Sequence, residues 1–88
     1  MAMWHLYILE CQDGSLYTGV TTDLARRLKE HHAKTTHYTG YNPPRRIAHT
    51  EQFSTKTEAI EREAQIKGWT RHKKLALITG AYQELKRL

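Results

Sequence analysis

The sequence predicts an α+β domain, and three observations carry that prediction. Two short β-prone runs, residues 4–10 and 15–20, flank the turn signal Gln12-Asp13-Gly14. Helical periodicity begins after Asp23 and again after Thr55, each time behind a capping residue. Between those helices lies a half-polar, strand-like segment, residues 47–53.

The first element is residues 4–10, rich in Trp, Tyr and Ile, and the second is residues 15–20. A three-residue loop with Gly14 in the left-handed position is a favoured hairpin form. It pairs Cys11 with Ser15, Leu9 with Tyr17 and Tyr7 with Gly19. Side chains alternate along a strand, so this register puts Tyr7 and Tyr17 on one face, whereas a two-residue Asp13-Gly14 loop would put them on opposite faces.

Thr21, Thr22 and Asp23 offer N-caps for a helix running to about Ala33. On its wheel Leu24 and Leu28 form the buried stripe, and Arg27 and His31 lie beside that stripe, one turn apart. Arg26 and Glu30 face the opposite way, so position separates two adjacent arginines: one solvated, one held at the edge of the core.

Residues 34–46 read as a loop in which basic residues and aromatics interleave, stiffened at its end by Pro43 and Pro44. Lys34, Tyr38, Tyr41, Arg45 and Arg46 in it are candidates for stacking on bases and binding phosphates, or are simply solvated. The third strand, residues 47–53, carries Ile47, His49, Glu51 and Phe53 on one side, a pattern suited to a sheet edge.

Thr55-Lys56-Thr57-Glu58 forms a capping box for a helix to about Trp69. Ala59, Ile60, Ala64 and Ile66 mark its apolar arc, and Glu63 falls inside that arc. An inward carboxylate is costly unless paired or bound to a cation, and Lys67 one turn on offers the simple pairing. Thr70 caps a last helix containing Leu75-Ala76-Leu77-Ile78 and stopped by Gly80, followed by a short helical tail over residues 81–88. Trp4, Phe53 and Trp69 read as core. Without repeats or a linker, residues 1–88 read as one domain.

Composition narrows the partners. Fourteen Lys and Arg against nine Asp and Glu give +5, which favours polyanions. No apolar run approaches the ~20 residues of a membrane span, and no basic leader precedes the first strand. A single cysteine, Cys11, makes no internal disulfide and fits a reducing, cytoplasmic location. The histidines and Cys11 show no zinc spacing.

Taken in order, Tyr7, Tyr17 with Gly19, Arg27, His31 and Glu63 resemble the signature of the GIY-YIG nuclease family. Leu6-Tyr7-Ile8 matches the first motif loosely, and Tyr17-Thr18-Gly19 matches the second closely. The stretch from Asp23 to His31 looks like the family's first helix, and Ala59-Ile60-Glu61-Arg62-Glu63 like the segment carrying its metal-binding glutamate. The chain looks closest to the small stand-alone bacterial members. The resemblance implies a three-stranded antiparallel sheet flanked by helices and hydrolysis of DNA phosphodiesters with a single Mg²⁺ or Mn²⁺. Tyr17 would be the base or water positioner, although a free phenol has a pKa of ~10 and needs help near neutrality. Tyr7 would orient water or hold the Tyr17 hydroxyl, Arg27 would hold the phosphate, His31 would assist, and Glu63 would carry the cation. Lys67, Arg71, Lys73 and Lys74 extend the expected nucleic-acid surface, with DNA favoured over RNA.

Two positions depart from the family pattern. His5 stands where the first motif has glycine, and the asparagine that many members carry after the glutamate has no counterpart, the sole asparagine being Asn42. The second departure motivates an alternative, a catalytically weak or inactive nucleic-acid binding module.

Overall fold

The computed structural model describes residues 2–35 and 44–80. Three strands, β1 (Trp4–Cys11), β2 (Leu16–Thr21) and β3 (Pro44–Phe53), combine with three helices, α1 (Leu24–Thr35), α2 (Lys56–Lys67) and α3 (Arg71–Thr79). The fold is α+β. The strands form one antiparallel sheet in the order β2-β1-β3, so β3 is an edge strand as its half-polar sequence suggests. The expected tail over residues 81–88 lies outside the described residues.

The hairpin has the expected register. Gly14 N–H donates to the Cys11 carbonyl at 2.9 Å and Cys11 N–H to the Ser15 carbonyl at 2.8 Å, with Gly14 at φ 88°. Tyr7 pairs with Gly19 and Leu9 with Tyr17, which places both tyrosines on one face.

Because β1 is central, both of its faces are covered, and Leu6, Tyr7, Ile8 and Leu9 are all buried. Leu6 and Ile8 form a core with Ile66 of α2 and Leu77 of α3, against which Val20, Phe53, Trp69 and Ile78 pack. On the opposite face, Tyr7 and Leu9 meet Leu24, Arg27, Leu28 and His31 of α1 around a shallow crevice. The sheet therefore separates two layers, α1 on one side and α2 with α3 on the other.

Three local expectations are corrected. First, β3 begins at Pro44, not at Ile47. The proline occupies the first strand position, where its missing N–H costs no ladder bond. Second, Ile8 pairs with His49 but Leu9 pairs with Ile47, leaving Ala48 as a bulge. The extra residue reverses the parity of alternation. Ile47 consequently lines the α1 crevice, away from the face that carries His49, Glu51 and Phe53. Third, α2 ends at Lys67 before Gly68, and its inward stripe is Ala59, Arg62, Glu63 and Ile66. Ile60 and Ala64 are exposed. Spacings of three, four and seven residues define that stripe, so Glu63 does point inward, whereas Glu58 and Glu61 are exposed.

Caps fix the helix starts. Asp23 Oδ1 accepts from Arg26 N–H at 3.0 Å, and Thr21 Oγ1 accepts from Asp23 N–H at 3.1 Å. Thr55 and Thr70 cap α2 and α3, and Gly80 ends α3 in the left-handed region at φ 81°.

Candidate nuclease site

The hairpin and α1 together build the site. β1 presents Tyr7, β2 presents Tyr17, and the 3.6-residue period of α1 aims Arg27 and His31 at the same spot. Arg27 Nε–H donates to the Tyr7 hydroxyl at 3.1 Å. The same hydroxyl lies 3.1 Å from His31 Nε2. With the imidazole proton on Nδ1, Nε2 accepts the phenol's own proton, so the Tyr7 oxygen both accepts and donates. The His31 ring meets the Tyr17 ring edge-on, with centroids 4.8 Å apart. Tyr7 and Tyr17 stand 6.3 Å apart by ring centroid.

The two phenols have different environments. Tyr7 is 1% exposed and Tyr17 is 42% exposed. Burial raises the Tyr7 pKa, only partly offset by the Arg27 hydrogen bond and charge, while Tyr17 and Glu63 add to the rise. Tyr7 therefore stays a neutral phenol at physiological pH and cannot take a proton from water. Its hydroxyl engages Arg27 and His31, not Tyr17, and so fixes the cationic side of the site. Tyr17 is the phenol that solvent reaches. The Arg27 guanidinium is held above its ordinary value chiefly by the Tyr7 hydrogen bond, with smaller contributions from Glu30 and Tyr17.

Gly19 makes this arrangement possible. A Cβ at position 19 would lie 2.6 Å from Tyr7 Cζ. The glycine of the second motif is thus required by the close approach of a ring, not by an unusual backbone angle.

Glu63 belongs to α2, which packs on β1 and β2, and its charge bears on the Tyr7 phenol. Its carboxylate pairs with Lys67 Nζ at 3.4 Å. Among the described residues no three His, Cys, Asp or Glu side chains gather where they could hold a cation. A lone half-buried carboxylate fits a divalent ion completed by water and substrate oxygens, the usual manner of Mg²⁺. It does not fit an ion caged by protein alone.

The remaining sequence-predicted residues do not join this cluster. Arg45 is exposed on β3, and Arg46 donates to Glu10 Oε1 at 2.8 Å. Arg71 approaches the hairpin turn, its Nη2 lying 3.7 Å from where a Gly14 side chain would begin. Lys73 stands over the Trp69 ring at 4.7 Å, and Lys74 is half-buried. The Lys34 side chain, Tyr38 and Tyr41 lie outside the described residues.

Sequence reasoning missed two features. Glu30, read as facing away, reaches Arg27 Nη1 at 3.3 Å. Its i,i+3 spacing was the available signal. On the other face, Arg62 forks onto Glu51 at 2.9 and 3.2 Å, and His49 Nε2 lies 2.9 Å from Glu51. The half-polar side of β3 hinted at such a group, but its arginine comes from another element.

Fold and motif order together define a GIY-YIG domain, and residues 3–76 match the profile of the GIY-YIG catalytic domain. The chain belongs to that family, whose domain implies nuclease-type phosphodiester hydrolysis. Its relatives are small stand-alone members. A UPF0213 protein of Halobacterium salinarum is 47% identical over 76 residues, covering 85% of this chain and 99% of the relative. One from Staphylococcus saprophyticus is 42% identical over 76 residues, covering 85% and 93%. The solution NMR structure of a UPF0213 protein from Bacillus halodurans superposes with a TM-score of 0.58 at 40% identity, covering 88% of this chain and 83% of that one. No helix among the described residues is long and apolar enough to cross a membrane.

Proposed function

We propose that this chain is a metal-dependent nuclease that hydrolyses DNA phosphodiesters with weak or structure-selective specificity. The observation that carries the proposal is the single cluster in which buried Tyr7 anchors Arg27 and His31 beside exposed Tyr17. Arg27, oriented from behind by Tyr7, holds the scissile phosphate and balances the charge that grows on it. Tyr17 acts as the base for the attacking water or positions it. His31, in edge contact with Tyr17 and hydrogen-bonded to Tyr7, keeps both rings in register. Glu63 would carry Mg²⁺ or Mn²⁺, which supplies Lewis acidity toward the phosphate when bound.

Beyond this centre, the exposed Arg45 and Arg71 and the half-buried Lys74 supply phosphate contacts without sequence readout. Arg46, Lys67 and Lys73 join them once their present partners, Glu10, Glu63 and Trp69, release them. Lys34 and Tyr41 complete the set. Binding then falls steeply with added salt.

A second reading, a binding module without turnover, draws on the Glu63–Lys67 pair, which occupies the one carboxylate a cation would need. Cleavage of a labelled panel of single-stranded, duplex, flapped and branched DNA in Mg²⁺, Mn²⁺ or EDTA decides between them, run beside Glu63→Gln. Metal-dependent cutting lost in the variant supports the nuclease. Retained binding without cutting by the wild type selects the module.

A further inference from the structure

Arg27 has a second partner besides Tyr7. Its inner donor, Nε–H, is committed to the Tyr7 hydroxyl at 3.1 Å, whereas its outer donor Nη1–H points to Glu30 Oε1 at 3.3 Å. This is the only ion pair Arg27 makes among the described residues. The side chains are 29% and 46% exposed, so the pair lies at the mouth of the site, where solvent screens it. A carboxylate offers the same charge-assisted acceptor geometry that a phosphate oxygen offers an arginine.

We infer that Glu30 is a resident stand-in for phosphate, and that a substrate phosphodiester displaces it from Nη1 of Arg27. This rests on the reading of Arg27 as the phosphate-holding group. An end-on, bidentate phosphate takes Nη1 together with Nη2, because Nε is already committed to the buried Tyr7 phenol, and so it competes with Glu30 for Nη1. While Glu30 holds Nη1, an anion that meets Arg27 alone gains little by replacing one oxygen ligand with another. A phosphodiester gains more, since it also engages the basic surface. Glu30 therefore lowers affinity for stray phosphates and sharpens the requirement for a fully docked backbone. It acts through Arg27 and is a positioning and specificity residue, not a catalytic one.

Removing any surface carboxylate from a basic protein strengthens DNA binding somewhat, so the test needs a matched control. Fluorescence anisotropy with a fluorescein-labelled duplex, without divalent metal, is measured for wild type, Glu30→Gln, Glu61→Gln, Arg27→Ala and Arg27→Ala with Glu30→Gln. Glu61 is an exposed glutamate of α2 and reports the generic charge effect. Glu30→Gln is expected to tighten binding about fivefold beyond Glu61→Gln, with that excess abolished when Arg27 is alanine. Inorganic phosphate is expected to compete with the duplex at about fivefold lower concentration against Glu30→Gln. If Glu30→Gln matches Glu61→Gln, or its excess persists without Arg27, the pairing has no such role and the inference fails alone. If Arg27→Ala binds as wild type does, the reading of Arg27 fails, and the inference fails with it.

Discussion

Tyr7 and Gly19 face each other across the β1–β2 hairpin, and the tyrosine ring fills the space a side chain at position 19 would take. Two contacts of the site depend on that one vacancy, because the Tyr7 hydroxyl holds Arg27 and His31. Gly19→Ala must push the ring outward. An overpacked core costs about 1–3 kcal/mol, so thermal unfolding should show a clearly lowered midpoint. The Arg27 side chain loses its anchor at the same time, and DNA binding should weaken beyond what the lost stability explains.

Tyr7→Phe separates packing from hydrogen bonding. The ring keeps its buried place, and the lost hydroxyl costs about 0.5–1.5 kcal/mol of stability. Cleavage should fall far more, on the order of 10²-fold, because an unanchored arginine meets the phosphate out of position. Chemical denaturation and single-turnover cleavage on the same preparations check both halves.

Thr18 offers a gain. It is 4% exposed, and its hydroxyl is buried with no hydrogen-bond partner among the described residues. It pairs with Ile8 on the face that α2 and α3 cover. Thr18→Val keeps the shape and removes an unsatisfied polar atom, which should stabilise the fold by about 1 kcal/mol. For a chain of this size that raises the unfolding midpoint by roughly 4–8 °C.

Glu51 sets a pH dependence. Burial works to raise its pKa, but the Arg62 fork and His49 outweigh burial and hold the carboxyl below the ordinary value. A group depressed in the folded state contributes stability above its unfolded pKa and loses it as pH falls through the folded one. Stability should therefore decline as acidification passes the ordinary carboxylate range, and the decline should be shallower in Glu51→Gln. At neutral pH that variant should be less stable by about 1–2 kcal/mol, since the pair is only half-buried. Urea unfolding between pH 3 and pH 7, pH values on the order of the carboxylate range and above, measures both effects.

Most of the site could be read from the sequence because local rules govern it. A three-residue hairpin loop with a left-handed Gly14 fixes strand parity, and parity alone puts Tyr7 beside Tyr17. Helical period alone sets Arg27 and His31 on one side of α1. What escaped depends on contacts between elements. The Ala48 bulge moves Ile47 to the other face, and no local pattern marks a bulge that lacks glycine. Arg62 was indistinguishable from a solvated arginine until β3 supplied Glu51. Ile60 was assigned inward on hydrophobicity, yet α2 turns the face bearing Ala59 and Ile66 to the sheet. Glu30 fell on the solvent side of the wheel, but its side chain is long enough to reach back to Arg27.

The central claim is that Arg27 and Tyr17 act on one phosphodiester. Single-turnover cleavage of the best DNA substrate tests it most directly, with wild type beside Arg27→Lys and Tyr17→Phe in Mg²⁺. Lysine keeps the charge but loses the planar fork, and with it the Nε–H bond to Tyr7. A loss on the order of 10²-fold or more in each variant, with folding intact, is the predicted result. Cleavage by both variants at the wild-type rate would contradict the account and move the chemistry away from this cluster.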